Sequence, residues 1–304
     1  MNDIVSEADT IVEDLDILKY YCKDEQRRAF AYERFTAYAP GTNQEWLAQE
    51  TGVSPSTLAR WERSRDNPEL PGSKPASVKG LDFLRERGLL PLTTESPTLG
   101  MVSYLAGLNW HSGGIHTPSE GQPASCPQFY VGPSSLLTSV AKTLNIPVQY
   151  SEDHNRYTLP AQLTLLFSEL GIPGNGGKAS HAEPCPDIVD TLLNFEQLQR
   201  VALFLGSQAL TQASKHAGSV IIAGIKKDTP ELARMTGDAM YALYRQAFGV
   251  ETGTPKIQEA RGKHQEPPKH YATLRMSEEK YQSIVEHTHW LLRKEASAIQ
   301  EYRH

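Results

Sequence analysis

Two stretches of this chain contain no acid at all: none lies between Gly100 and Ser119, and none between Gln197 and Lys227. Carboxylate chemistry, whether metal binding or general acid and base work, is excluded from both. Cysteine is scarce too. Cys22, Cys126 and Cys185 are scattered and odd in number, which argues against a disulfide framework and for a reducing cytoplasm. No run of about 18 apolar residues occurs, so a membrane helix is not expected. The opening MNDIVSEADTIVEDLD is acidic and lacks the basic-then-apolar order of a signal peptide.

With 39% hydrophobic residues, a mean hydropathy of -0.46 and 304 residues, the chain suits a soluble protein with room for two domains. A net charge of -6 and a pI near 5.9 give no whole-molecule attraction to nucleic acid. That acidity is local: residues 1–25 hold eight acids against two lysines, leaving the remainder neutral. Any nucleic-acid face must therefore be a patch.

Apolar residues at helical spacing (Ile11, Leu15, Leu18, Cys22, then Phe30, Phe35, Tyr38) predict two helices over 8–39. The most specific local pattern follows, TNQEWLAQETGVSPSTLARWERSRDNP. Thr42 or Asn43 can cap a helix that turns Trp46 and Leu47 inward, and Gly52 stands where a tight turn needs a positive φ. Val53 buries, Ser54 caps, Pro55 suits a first turn, and Leu58 and Trp61 face back to the core. Ser56, Thr57, Arg60 and Arg63 are left outward, as in a helix-turn-helix (42–64) whose second helix enters the major groove. A solvated helical hairpin is the bland alternative. A further helix, about Ala76 to Arg87 and ended by Gly88, brings Lys74, Lys79 and Arg85 as phosphate-contact candidates. Residues 92–99 have turn composition and no periodicity, which makes them the expected linker between a helical domain (1–91) and the remainder (100–304).

The remainder holds a faint repeat, 100–194 and 195–304. Each half begins with a small-residue helix, YLAGL at 104–108 and VALFLGSQAL at 201–210, and continues with strands, a helix, further strands and a last helix. Together with SSLLTSVAKTLNI, YTLP and SELGIPGNGGK before PDIV, this order resembles the LAGLIDADG homing-endonuclease family in its single-chain form. The resemblance implies an α+β fold: an all-α helix-turn-helix domain, then a pseudo-symmetric α-β-β-α-β-β-α saddle over DNA. It implies that Ala106, Gly107 and Gly206 let the two motif helices approach closely. It also places Ser112 and Thr211 where the family's nuclease chemistry needs one acid per helix foot to hold divalent ions. Glu120 is the one acid near the first foot, and one acid makes half a site. Cleavage by the family mechanism is thus not expected.

The binding surface survives that loss. Lys256, Arg261, Lys263, Lys269 and Arg275 stand against Glu259 and Glu266, and Lys226 and Lys227 end the preceding strand. Counterion release from such a patch gives affinity without catalysis. In the first half Gln128, Tyr130, Gln149, Tyr150 and Arg156 are the polar counterparts. The histidines lack zinc spacing, including His181 four residues before Cys185, and GNGGK lacks the spacing of a phosphate-binding loop. No metal or cofactor is expected.

A helix-turn-helix joined to this fold also resembles WhiA-type transcriptional regulators, in which the two parts come in the opposite order. The expectation is a non-catalytic, sequence-specific double-stranded DNA-binding protein, a transcriptional regulator, cytoplasmic, off the membrane and monomeric. The alternatives are an intron-associated splicing maturase, with RNA as partner, and an active homing endonuclease with a relocated metal site. A-form RNA's narrow major groove does not admit a recognition helix, so the helix-turn-helix discriminates between DNA and RNA.

Overall fold

Local capping decides where the N-terminal helices begin. The computed structural model describes residues 10–65, 73–116, 125–132, 134–174, 177–216, 218–260 and 268–303. Strand β1 (Thr10–Val12) is followed by helices α1 (Asp14–Leu18), α2 (Lys23–Ala37), α3 (Gln44–Thr51) and α4 (Pro55–Arg63). Asn43 starts α3 by accepting the backbone N–H groups of Glu45 and Trp46, and Gly52 ends it at φ +69°. Ser54 starts α4 by accepting from the Thr57 N–H, with Pro55 in the first turn. Ala31, Phe35, Leu47, Leu58 and Trp61 close a small core of their own, and the Arg65 guanidinium lies 4.3 Å over the Phe35 ring. Trp46 departs from the expected inward orientation: it is 44% exposed and meets Tyr38 edge-on. Successive residues of a helix lie about 100° apart, so Leu47 takes the inward place and Trp46 the rim.

Helix α5 (Ala76–Arg85) and strand β2 (Leu92–Thr93) follow, and β2 pairs antiparallel with β1. Ile17, Leu18, Leu81, Leu84 and Leu92 belong to the main core rather than to the small one. The expected linker is therefore built in: Leu92 and Leu99 are fully buried, and the Thr98 hydroxyl donates to the Gly88 carbonyl at 2.5 Å. Turn composition and the lack of periodicity could not show that β1 would pair with this segment.

The larger part runs α6 (Leu99–Ser112), β3 (Gly113–Gly114), β4 (Gln128–Phe129), α7 (Ser135–Thr143), β5 (Gln149–Ser151), β6 (Arg156–Thr158), α8 (Gln162–Glu169) and α9 (Asp187–Asn194). It continues with α10 (Leu198–Gln212), β7 (Ala213–His216), β8 (Ser219–Ala223), α11 (Pro230–Phe248), β9 (Lys256–Ala260), β10 (Lys269–Ser277) and α12 (Glu278–Tyr302). The fold is thus mixed, with helices and two antiparallel four-stranded sheets ordered β3-β4-β6-β5 and β7-β8-β10-β9. Among the described residues no helix is long and apolar enough to cross a membrane.

Helices α6 and α10 form the centre. Every residue of α6 except His111 is buried, as is Val201 to Ala209 in α10. Helices apolar on all sides have no solvent face to keep. At their crossing a Cβ on Gly107 would stand 2.3 Å from the Phe204 carbonyl oxygen and 2.6 Å from the Ser207 hydroxyl. Gly206, expected at that crossing, faces elsewhere: its Cβ would meet the Thr288 hydroxyl of α12 at 2.2 Å, so Ser207 takes the crossing position. Ala106 is fully buried. The N-terminus of α6 is capped from α12, where buried Glu295 accepts the Gly100 N–H. Burial raises that carboxyl's pKa, against the lowering by Arg200 and Lys294.

Candidate nucleic-acid interface

Each central helix runs straight into the first strand of a sheet, α6 into β3 and α10 into β7, so each helix foot adjoins a sheet. At the feet, Ser112 and Thr211 meet. The Gln212 Nε2 donates to the Ser112 hydroxyl at 2.6 Å, Ser112 donates to the Thr211 hydroxyl at 3.0 Å, and Thr211 donates to the Ser207 carbonyl at 2.8 Å. The chain of donors runs one way and ends on the backbone, so each of the two hydroxyl protons is used. All three groups are neutral. Neutral hydroxyls do not supply the anionic oxygens with which a protein holds Mg²⁺ beside a phosphate. Among the described residues no group of three or more His, Cys, Asp or Glu stands where it could hold a metal ion. Glu120 lies outside the described residues.

Behind the feet sit two lysines, Lys178 half-buried and Lys227 buried, that sequence reasoning left without a structural role. Lys178 donates to the Asn109 carbonyl and, at 2.7 Å, to the Gly113 carbonyl, closing the C-terminal end of α6. Lys227, fully buried, donates to the Lys178 and His181 carbonyls at 3.1 Å each and lies 5.4 Å from the Trp110 ring. It ties the connector around 178–181 to the end of β8 rather than meeting phosphate. Strand alternation gave no signal here: β8 ends at Ala223 and its inward Val220 and Ile222 would predict Lys226 inward, but an irregular bridge to His270 turns Lys227 in and leaves Lys226 exposed. Burial pushes Lys178 down to about 7 and lowers Lys227 as well. It pushes the Cys185 thiol up to about 12, which leaves that cysteine inert.

His111 is the least satisfied group of the region. Both ring nitrogens are shut off from solvent without a partner, and the ring packs edge-on against Phe204. Burial first, and the Lys178 charge second, hold its pKa well below 6.5. As pH falls through 6.5 the unfolded chain takes up a proton that the folded chain refuses, so stability is lost on the acid side. The loss is expected to approach ~1.4 kcal/mol per pH unit for this one group. His111→Phe should flatten that limb, as read from urea midpoints at about pH 7.5 and about pH 5.5; an unchanged limb would assign the acid loss elsewhere.

The pleat sorts the strand residues by face. In the second sheet Val220, Ile222, Ala272, Leu274 and Met276 turn to the helices. The register then puts Ser214, His216, Ser219, Ile221, Lys256, Gln258, Tyr271, Thr273 and Arg275 on the open face. Glu259 pairs with His270 and falls on the helix side. In the first sheet Phe129 and Tyr157 turn inward, and Gln128, Gln149, Ser151, Arg156 and Thr158 lie on the open face. Tyr150 turns inward with them, its ring 4.6 Å from that of Tyr157. Among the described strand residues neither open face carries an acid; Glu152 and Asp153 lie in the turn between β5 and β6.

The expected cations divide accordingly. Lys226 and Lys256 are exposed and have no partner among the described residues, and exposed Arg275 donates only to the Ser219 hydroxyl, at 2.7 Å. Lys269 is paired with Asp228. Lys74 is likewise engaged, 2.7 Å from Asp82, because the turn of α5 that follows it carries that acid. Arg85 is held by Asp14 of the acidic N-terminal segment. Lys79 is exposed and free of bonds among the described residues. Arg261 and Lys263, with Glu266, lie outside the described residues. On α4, Ser56 and Thr57 bond to the Ser54 hydroxyl at 3.0 and 2.9 Å, and Arg63 donates to the Ala59 carbonyl at 3.2 Å. Arg60 is exposed, and its guanidinium makes no bond among the described residues.

No protein-family model matches the chain, and no curated protein sequence matches it. Among solved structures the chain is similar to mesophilic variants of the homing endonuclease I-DmoI, at 13% identity and a TM-score of 0.38, with 63% of this chain and 96% of that one covered. It is similar also to I-DmoI in complex with DNA and Mn, at 13% identity and a TM-score of 0.35, covering 63% and 97%. A third is I-DmoI in complex with DNA and Ca, at 14% identity and a TM-score of 0.36, covering 67% and 98%.

Proposed function

We propose that this chain is a non-catalytic, sequence-specific double-stranded DNA-binding protein acting as a transcriptional regulator. The observation that carries the reading is the pair of open sheet faces, cationic and amide-rich and without an acid on any described strand position. Such a face attracts a polyanion while its side chains at alternating positions reach base edges. The two sheets repeat one strand order, which supports a pseudo-symmetric saddle that needs no second copy and binds as a monomer. The neutral bond chain from Gln212 through Ser112 to Thr211 supports binding without cleavage. The α3–α4 pair serves as a helix-turn-helix, with Arg60 free to meet bases or phosphates. Tethering the two modules raises the effective concentration of each for its half of the site.

A random duplex library incubated with the chain in Mg²⁺, sequenced both for bound molecules and for new ends, tests this directly. The expected result is one enriched motif and no new ends. Arg60→Ala should then weaken binding. Ser112→Asp should leave the DNA intact, because a single carboxylate opposite Thr211 makes half a metal site. Defined ends at one site would overturn the non-catalytic reading, and no enrichment would overturn DNA binding.

A further inference from the structure

The two open faces share a detail. On the first sheet the Gln128 Oε1 accepts from the Tyr130 hydroxyl at 2.7 Å and from the Arg156 Nη1 at 3.1 Å. On the second the Gln258 Oε1 accepts from the Tyr271 hydroxyl at 2.8 Å. A guanidinium has donors only, so the amide atom facing Arg156 has to be the oxygen. The Gln128 amide is thus turned one way, with both lone pairs of its oxygen taken and its Nε2 without a partner among the described residues, whereas Gln258 has one bond to a hydroxyl and keeps a lone pair. Gln149, on the same open face as Gln128, makes no such bond among the described residues and keeps both edges of its amide.

A free glutamine reads adenine by accepting from N6 and donating to N7. A glutamine whose oxygen already accepts two bonds can only donate. The major-groove edge with two adjacent acceptors is that of guanine, N7 beside O6. We infer that Gln128 is a donor-locked reader that selects guanine at one position of a duplex target, under the first sheet. The inference rests on the DNA-binding reading. The bond network sets it apart from a general basic surface: Lys256 supplies charge, whereas the Gln128 amide supplies a choice of base.

The test is the motif selected from the random duplex library by the full-length chain and by three variants. The wild-type motif should hold a guanine that Gln128→Glu replaces by cytosine. The new carboxylate keeps its bonds to Tyr130 and Arg156 but now accepts from the cytosine N4 amino group. The change in preference should be about tenfold or more. Tyr130→Phe frees one lone pair of the Gln128 oxygen, so adenine should become tolerated at that guanine. Lys256→Ala should leave the motif unaltered while weakening all sequences alike and reducing the salt slope by about 1. A motif that Gln128→Glu does not alter, or one in which the position it alters was not guanine, overturns the donor lock and leaves DNA binding standing. No motif for the wild-type chain overturns the DNA-binding reading itself and the inference with it.

Discussion

Gly107→Ala is expected to destabilise the chain by about 3 kcal/mol, the upper end of what overpacking costs. The added methyl would stand 2.3 Å from the Phe204 carbonyl oxygen and 2.9 Å from its carbonyl carbon. Those are backbone atoms inside a helix that is itself buried, so no side chain can swing aside. Relief requires moving α6 away from α10 along much of their shared length. That displacement would open the Ser112–Thr211 bond at the feet and shift β3 relative to β7, since each strand begins where its helix ends. The expected consequence is a lower urea midpoint together with weaker DNA binding. A shift below about 0.5 kcal/mol, the ordinary range of a neutral substitution, would show that the crossing is looser than its geometry indicates.

Trp61→Ala should unfold the α3–α4 unit while leaving the central helices folded. Trp61 is 3% exposed in a core of only five buried apolar residues, with Tyr32 5.0 Å and Phe35 5.6 Å from its ring. Truncating a buried aromatic costs about 3–5 kcal/mol, more than so small a cluster can spare. The main core shares none of these five residues, so α6 and α10 do not depend on them. Hydrogen exchange is the appropriate measurement: amides of α3 and α4 should lose protection, and those of α6 and α10 should keep it. Simultaneous loss in all four helices would show the two cores to be one cooperative unit.

These two sites mark how far local reasoning reaches. The close approach at Gly107 was an expectation that the family resemblance implied, not one that its helix alone could supply. The turn at Gly52 and the caps at Asn43 and Ser54 were legible because they depend on backbone torsion and on hydrogen bonds spanning two or three residues. Gly206 carried the same signal as Gly107, but its neighbour is Thr288, some eighty residues further along the chain, and no periodicity names that partner. Likewise Lys74 and Lys269 read as free cations until the fold set Asp82 and Asp228 against them.

What the sequence by itself determined is therefore short in range or negative in kind: helix starts, the tight turn, the apolar central helices, and the want of carboxylates in the two motif helices. The last is as secure as any structural fact, since no fold can supply an acid from residues that have none. Only the tertiary structure decided how charge is displayed. It turned Lys227 inward onto two carbonyls, sent Glu259 to the helix side of its sheet, and left Lys256 and Arg275 on the open one. The reason is that a side chain's face follows from strand register, and register is set by the whole buried layer against which the sheet packs.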